Sequence, residues 1–301
     1  ASFYIFGASV QNDFNKRKEQ LFIKIDKIKE FLKGLLIIED EKGKQDPDKL
    51  ESAMSFASTL LDFEKMSSSL PESASKEMTM QRKERITKII SSLDSADKLF
   101  NISSHVFVDA ELSKTATLDW KLFLGEVSIS EFKKSQGCKA ILSSFENKMD
   151  KFSDLFSAIQ LGELEVKDAY IEERHKNYFD SFSWRDLNEE EMITCPKFIM
   201  ITSAISLMEA ELGSFSSILS KGIPVKTFVV QNNPVVDFQS NGKSNSSKFC
   251  YRQEIGAIAI SHRNVYVAQS SSVKPHKLYN EFKSGLSCGL PSVFSILNSS
   301  I

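Results

Sequence analysis

Residues 198–230 read FIMITSAISLMEAELGSFSSILSKGIPVKTFVV, and they predict a strand, a helix and a second strand in succession. Phe198 to Ile201 is a short, wholly apolar run, which is typical of a buried strand. Ala204 to Leu219 repeats apolar residues at helical spacing, and Val225 to Val230 again favours a strand. A helix between two strands allows the strands to run parallel in one sheet. This stretch therefore predicts a strand–helix–strand unit.

Three more short apolar runs extend the pattern towards the C-terminus. They are Ile255 to Ile260, Val265 to Ala268 and Val293 to Leu297, and we expect each to be a strand. Leu278 to Phe282 lies in a predicted helix before the last run. Strands that alternate with helices form a mostly parallel sheet covered by helices on both faces. The predicted fold class is α/β.

The N-terminal half is predicted to be mainly helical, because apolar residues recur there at steps of three and four. One apolar face runs from Leu21 to Leu35, and the longest runs from Cys138 to Ile159. Between them, Asp46-Pro47 predicts an N-cap followed by proline at the first helical position. A further helix is predicted to begin near Ser75.

One short strand, His105 to Val108, is the exception predicted within this half. We expect a mainly helical region at residues 1–190, as an insertion or an N-terminal half, and an α/β domain at residues 191–301. The linkers of the helical region are polar and rich in serine, as surface loops are.

Composition narrows the functional classes. The formal net charge of −2 provides no general attraction for nucleic acid, and no apolar run is long enough to span a membrane. Ala1 to Tyr4 lacks the basic and apolar segments of a signal peptide, so we expect an intracellular protein of the cytoplasm or an organelle matrix. The cysteines are too widely spaced for a zinc site or a disulfide framework, so we expect free thiols at the four positions Cys138, Cys195, Cys250 and Cys288. The chain has only 12 glycines, which counts against a phosphate-binding loop.

Three collinear segments carry a family resemblance. Residues 219–230 read LSKGIPVKTFVV, residues 254–269 read EIGAIAISHRNVYVAQ, and residues 289–293 read GLPSV. They resemble LASGxxVxVLVL, LGMMAMSYGYVYVAQ and GPSLI of the thiamine-diphosphate domain that ends pyruvate:ferredoxin oxidoreductase, a 2-oxoacid oxidoreductase. Residues 6–14, FGASVQNDF, are faintly similar to the segment that opens that domain. The resemblance implies a thiamine-diphosphate-type α/β fold for the C-terminal third.

The positions that would bind the cofactor depart from the family. The family's GDGWxYDIGxGG segment carries the Asp that binds Mg²⁺, and here Ala204 replaces that Asp while Ile205 replaces a flanking Gly. The family's TxVYSNTGGQ falls at residues 232–241, where only Asn232, Asn233 or Asp237 has a suitable oxygen. Because Mg²⁺ requires near-octahedral oxygen ligands, we predict an eroded site that binds neither thiamine diphosphate nor a metal.

The iron–sulfur position has changed as well. Relatives end this domain with LIIAYAxCI, whose cysteine ligates a cluster, and the alignment places Ser300 there. Serine is a poor substitute for a thiolate in such clusters. No cluster of cysteines precedes this domain, so we predict no iron–sulfur centre and no other cofactor.

Other polar residues are weaker candidates. Glu209 and Glu211 lie two apart on the predicted helix and should point to different faces, which argues against a joint acid–base role. His262 with Arg263 could bind an anion, but a loop between strands explains them more simply. Solvated helix faces and caps account for Glu172 to His175 and Glu189 to Glu191, and a helix start accounts for Lys274 to Lys277. We predict no catalytic residue.

Two functional hypotheses follow from the resemblance. The first is a non-catalytic relative of the oxidoreductase domain, kept as a structural or protein-interaction module with a protein partner or a second copy of itself. The second is a subunit or domain of a larger oxidoreductase with cofactors bound elsewhere, since fungal sulfite reductases carry a similarly eroded domain in flavin-containing chains. A longer parent sequence with flavodoxin-like or cysteine-rich segments would favour the second hypothesis. An unusual ligand in the vacated pocket is a third reading.

Overall fold

A computed structural model describes residues 2–40, 78–115, 127–231, 235–237, 250–252, 254–271 and 273–297. The chain divides into two compact units, each made of segments that are distant in sequence. We call them the sheet unit (Ala1–Lys16, Phe100–Met149 and Asn188–Ile301) and the helical unit (Arg17–Leu99 and Asp150–Leu187).

The sheet unit contains a six-stranded, wholly parallel sheet and a two-stranded antiparallel ribbon. In chain order, the strands are β1 (Ser104–Asp109), β2 (Val127–Phe132), β3 (Lys197–Ser203), β4 (Val225–Gln231), β5 (Val235–Asp237), β6 (Cys250–Arg252), β7 (Tyr266–Ser271) and β8 (Ser292–Leu297). Strands β5 and β6 form the ribbon, and the order in the sheet is β2-β1-β3-β4-β8-β7. The predicted α/β class is confirmed, and the sheet is consistent with a thiamine-diphosphate-type fold.

The described helices belong to both units. They are α1 (Ser2–Asp40), α2 (Met80–Asp94), α3 (Ala96–Leu99), α4 (Ala110–Thr115), α5 (Gly137–Val166), α6 (Glu172–Asp180), α7 (Glu189–Thr194), α8 (Ala204–Ser206), α9 (Leu212–Ser220), α10 (Ile255–Ser261) and α11 (Pro275–Leu286). A π-helical turn, Leu207–Glu211, joins α8 to α9, and a 3₁₀ turn covers Trp184–Asp186. The predicted starts at Asp46 and Ser75 lie outside the described residues.

Both faces of the sheet are covered, as parallel strands require. On one face, Phe282 of α11 contacts Phe228 and Phe294, with ring centroids 4.8 Å and 5.1 Å apart. On the other face, Phe145 of α5 meets Phe198 edge to face at 5.1 Å. Every residue of β1 is buried, which explains why its sequence reads as a continuous run and not as an alternating one.

Two predictions about strands need correction. Residues 255–260 were expected to form a strand, but they form helix α10. Ile255 and Ala259 are buried four positions apart while Ile260 is 63% exposed, so the buried residues follow the helical period. In addition, β2 was not predicted, whereas β1 contains the short strand predicted at His105 to Val108. The sheet therefore begins earlier in the chain than residue 191.

The helical unit has a core built by α1, α2 and α5. Ile28, Ile89 and Leu32 converge on Gly162 of α5, and a Cβ atom at Gly162 would lie 2.7 Å from Ile28 Cγ2. Such a distance is far below van der Waals contact, so glycine at this position allows α5 to pack closely against α1. The periodic apolar faces predicted from Leu21 to Leu35 and from Cys138 to Ile159 are confirmed as helices.

We expect the substitution Gly285→Ala to destabilise the sheet unit by about 1–3 kcal/mol, because it overpacks a close-packed core. A Cβ atom there would lie 2.8 Å from Phe294 Cε1 and from Tyr266 Cδ1. The matched control is Gly213→Ala, where a Cβ atom meets nothing within 4 Å. That change should stabilise the protein by up to about 1 kcal/mol through helix propensity. In urea unfolding, the free energy of unfolding should fall for Gly285→Ala and rise for Gly213→Ala. A change of the same sign in both variants would contradict this account of the core.

Candidate functional site

The connectivity of the sheet defines one crevice where ligands of such folds bind. From β1 the chain moves outwards to β2, then returns to β3 on the other side of β1 and continues outwards to β4. In open α/β sheets, ligands bind at such a switch point, outside the carboxyl ends of the strands. The strand ends at this switch point are Asp109 of β1 and Ser203 of β3.

Ala204 and Ile205 lie directly after the end of β3, where the resemblance places the metal-binding segment. Ala204 is 2% exposed and Ile205 is 45% exposed, and neither side chain carries an oxygen. The hydroxyl of Ser203 accepts a hydrogen bond from the Ser206 backbone N–H at 3.0 Å, so it caps α8. These residues do not fit a Mg²⁺ ion at this position.

The second expected ligand segment is only partly described. Asn232 and Asn233 lie outside the described residues, and so does Ser300. Asp237 pairs with Cys250 in the β5–β6 ribbon, and its side chain is not among those described.

Glu209 and Glu211 face different surroundings, as their spacing predicts. Lys134 donates a hydrogen bond to Glu209 Oε2 at 2.8 Å, and the Glu209 side chain is 51% exposed. Glu211 is only 4% exposed, and its Oε1 accepts the Cys138 backbone N–H at 3.1 Å. Glu209 is thus a surface ion-pair partner, while Glu211 belongs to the interior.

The carboxylate of Glu211 lies at the N-terminus of α5, a 30-residue helix. Unpaired N–H groups at a helix N-terminus attract anions, phosphate groups among them. Burial raises the pKa of Glu211, and its hydrogen bonds with Cys138 and Gly137 oppose that shift. A Cβ atom at residue 137 would lie 2.7 Å from Phe132 Cζ. Because Gly137 has no such atom, α5 can begin close to the end of β2. The Glu211 carboxylate therefore fills the place at this helix N-terminus where an anion would otherwise bind.

Asp109 is a buried residue of this crevice that our sequence analysis missed. It is 1% exposed, and its Oδ1 accepts the Glu111 backbone N–H at 3.0 Å. Among the described residues, no group donates a hydrogen bond to Asp109 Oδ2, nor to Glu211 Oε2. In the sequence, Asp109 could be recognised as the acidic residue that directly follows the apolar run His105 to Val108. The carboxyl ends of parallel strands border ligand sites in open α/β sheets.

The remaining candidates have structural roles. His262 Nε2 lies 3.1 Å from Ser216 Oγ, and Arg263 has a φ of 61° in the turn before β7. Helix α11 begins at Pro275, as predicted for the segment from Lys274. Glu172 lies in the first turn of α6, and Glu191 completes a capping box with Asn188 at the start of α7.

The described cysteines agree with the prediction of free thiols. Cys138, Cys195 and Cys288 are free thiols, as predicted, and Cys250 has no described side chain. Burial raises the pKa of the Cys138 and Cys195 thiols, which makes them poor nucleophiles. Within the described ranges, no group of three or more His, Cys, Asp or Glu side chains is arranged to hold a metal ion.

The similarity of this chain to known proteins is low. No family model matches the chain, and no curated protein matches it. Among solved structures, an enzyme from Mycobacterium smegmatis that is provisionally classed as thiamin diphosphate-dependent shares 13% identity, with a TM-score of 0.34. The match covers 84% of this chain and 40% of that one, so this chain spans less than half the length of that structure. Within the described residues, no helix has the length and apolarity needed to cross a bilayer.

Proposed function

We propose that this chain is a non-catalytic relative of the thiamine-diphosphate domain of pyruvate:ferredoxin oxidoreductase that acts as a structural or protein-interaction module. The observation that carries the proposal is Ala204, a buried methyl group at the carboxyl end of β3. The resemblance assigns a metal-binding carboxylate to this position. Without that ligand, the charge of a bound diphosphate is left without its metal.

The helix N-termini that flank the crevice support the same proposal. The Ser203 hydroxyl caps α8, and Glu211 binds the first N–H groups of α5. A diphosphate needs such backbone donors, and it would have to displace these groups. The side chains of Asp109 and Glu211 also add no positive charge to the crevice. In this crevice, the chain's own side chains already use the backbone donors that a ligand would need. A stable sheet with such a crevice suits a module that binds proteins better than it suits an enzyme.

The role in protein interaction has support of its own. Large apolar side chains of the sheet unit are exposed to solvent, among them Ile205 at 45%, Ile260 at 63% and Val273 at 63%. In the family, this domain lies against a pseudo-twofold mate, and such a contact can outlive a catalytic site. Sedimentation of the purified chain tests the homo-oligomer. A concentration-dependent dimer that Ile205→Asp or Ile260→Asp dissociates would support self-association, and a monomer at all concentrations would leave only a different protein as partner.

Thiamine diphosphate binding is the direct test of the proposal. We expect titration calorimetry to detect no heat up to millimolar cofactor, with or without Mg²⁺, because the metal ligand at residue 204 is absent. An active thiamine-diphosphate enzyme in the same buffer is the positive control. Mg²⁺-dependent binding with a stoichiometry of one would contradict the proposal and would make an active enzyme the leading hypothesis.

The alternative, a domain of a larger oxidoreductase, rests on the similarity to the eroded domain of fungal sulfite reductases. It predicts that the native protein, purified from its source, carries flavin, haem or iron–sulfur absorption bands on an associated polypeptide or segment. A colourless native assembly would favour the structural module.

A further inference from the structure

We infer that a groove between α1 and α5 in the helical unit binds an acidic amphipathic helix of a partner protein. This inference rests on the proposed function, because it names a surface and a class of partner for the proposed interaction module. The groove has a volume of about 400 Å³, which is within the range of natural binding pockets. All of its lining residues belong to the helical unit.

The floor of the groove is apolar. It is formed by Ile23 and Ile28 of α1 and by Val166 of α5. Ile28 is 6% exposed, whereas Ile23 is 57% exposed, so the floor begins in the core and opens to solvent. Covering an exposed isoleucine is favourable because it removes apolar surface from water. The groove therefore offers a place for the apolar side chains of a partner.

Lysine side chains border this floor. Lys24 and Lys27 of α1 line the groove together with Lys167, which directly follows α5, and with one acid, Glu163. The groove thus carries an excess of two positive charges, although the formal net charge of the chain is −2. Lys24 pairs with Glu163 at 2.7 Å, but neither Lys27 nor Lys167 forms an ion pair with any residue that the structure describes. Two ammonium groups are therefore available to the carboxylates of a partner.

The helical period places these two lysines beside the floor. Lys27 follows Ile23 by four positions, and side chains at that spacing lie on the same face of a helix. Lys167 continues α5, because its backbone N–H donates to the Glu163 carbonyl at 3.2 Å. The next acid along the chain, Asp168, is already paired with Arg82 at 2.9 Å. Each of the two helices thus contributes one lysine without a partner to the groove.

The shape of the groove favours a helix over other anionic partners. Helix-in-groove recognition inserts apolar side chains between two helices, and such side chains would reach the recessed Ile28. A flat membrane surface would meet Ile23 and the lysines but would leave Ile28 uncovered. Charge complementarity gives such an interface its specificity, so the groove selects a helix with carboxylates beside its apolar face.

Fluorescence anisotropy with a defined peptide tests the groove on the full chain. The probe is a labelled helix of about 18 residues of alanine, leucine and glutamate, with leucine at helical spacing and glutamate beside the leucines. We expect saturable binding that weakens as NaCl is raised, because salt screens exposed charges. In the double variant Lys27→Glu/Lys167→Glu, and separately in Ile23→Asp, the dissociation constant should rise at least about tenfold. The same peptide with lysine in place of every glutamate should not bind.

The matched control is the double variant Lys33→Glu/Lys151→Glu, which reverses one exposed lysine on each of the same two helices outside the groove. It should bind the acidic peptide within about twofold of the wild type, since charges far from the groove are screened. The absence of saturable binding, or an equal loss in both double variants, would overturn the inference. Binding to phosphatidylserine vesicles but not to the peptide would also overturn it and would assign the lysines to an anionic membrane. Thiamine diphosphate binding tests the proposed function separately, so a chain that binds neither peptide nor cofactor would contradict only this inference.

Discussion

Replacing Glu165 with alanine is expected to destabilise the helical unit by about 3–5 kcal/mol, because it removes the shared partner of two partly buried arginines. Glu165 is 1% exposed and lies near the end of α5. Its Oε2 accepts Arg82 Nε at 2.8 Å, and its Oε1 accepts Arg85 Nε at 2.6 Å. Both donors come from α2, so one carboxylate joins the two helices.

The network continues beyond Glu165 and limits how far the arginines can move. Arg82 also pairs with Asp168 at 2.9 Å, and Arg85 pairs with Glu172 at 3.3 Å. The Arg85 guanidinium lies 3.8 Å from the centre of the Tyr170 ring. These contacts hold both guanidinium groups beside α5, so loss of Glu165 leaves two charges without the buried acceptor that they share. Truncating one partner of a buried charge pair costs far more than the pair itself contributes.

The matched control for Glu165 is Glu163, two residues earlier on the same helix. Glu163 pairs with Lys24 at 2.7 Å, but both side chains are substantially exposed, so Glu163→Ala should change stability by less than about 1 kcal/mol. Urea unfolding followed by the fluorescence of Trp184, in a background with Trp120→Phe, reports on the helical unit. Equal effects of the two substitutions would show that the Glu165 network is not a main source of stability.

Much of the fold could be predicted from local sequence, because period and strand length are local properties. The apolar steps from Leu21 to Leu35 and the run from Phe198 to Ile201 each satisfy one structural period, and the structure has a helix and a strand there. Residues 255–260 show where this reasoning fails. An apolar run of six residues suits a buried strand or a short helix equally well, and only packing against β7 and β8 selects α10.

The crevice could be predicted only in part. The position of Ala204 at the end of a strand follows from the sequence pattern, and the structure has it there. The contact between Glu211 and the Cys138 N–H joins residues 73 positions apart, and Glu165 meets its arginines across at least 80 positions. No spacing rule connects residues at such separations, since tertiary packing alone brings them together. Asp109 could have been identified from the sequence as the acidic residue at the end of a strand.

Replacing Lys226 with methionine is expected to destabilise the sheet unit by about 2–4 kcal/mol at about pH 9, and by less at neutral pH. Lys226 is 1% exposed in β4. Its Nζ donates to the carbonyls of Cys288 and Leu290, at 2.7 Å and 2.6 Å, and to Ser292 Oγ at 3.1 Å. Methionine retains the length but leaves two carbonyls without their donor. Residues 287–291, which precede β8, should therefore exchange backbone hydrogens faster.

The pH dependence separates this role of Lys226 from simple packing. Burial lowers the pKa of Lys226 to about 7, and the charge of Lys197 adds to that shift. The unfolded chain keeps this proton up to its ordinary pKa of about 10.4, so between those values the unfolded state binds more protons. The free energy of unfolding of the wild type should thus rise with pH above neutrality, by at most about 1.4 kcal/mol per pH unit.

Lys226→Met should lack this rise, whereas Lys283→Met, at an exposed position of α11, should keep it and change stability by about 0.5 kcal/mol or less. Parallel pH profiles for the wild type and Lys226→Met in urea unfolding would mean that Lys226 stays charged throughout, held by its three oxygen acceptors against the effect of burial.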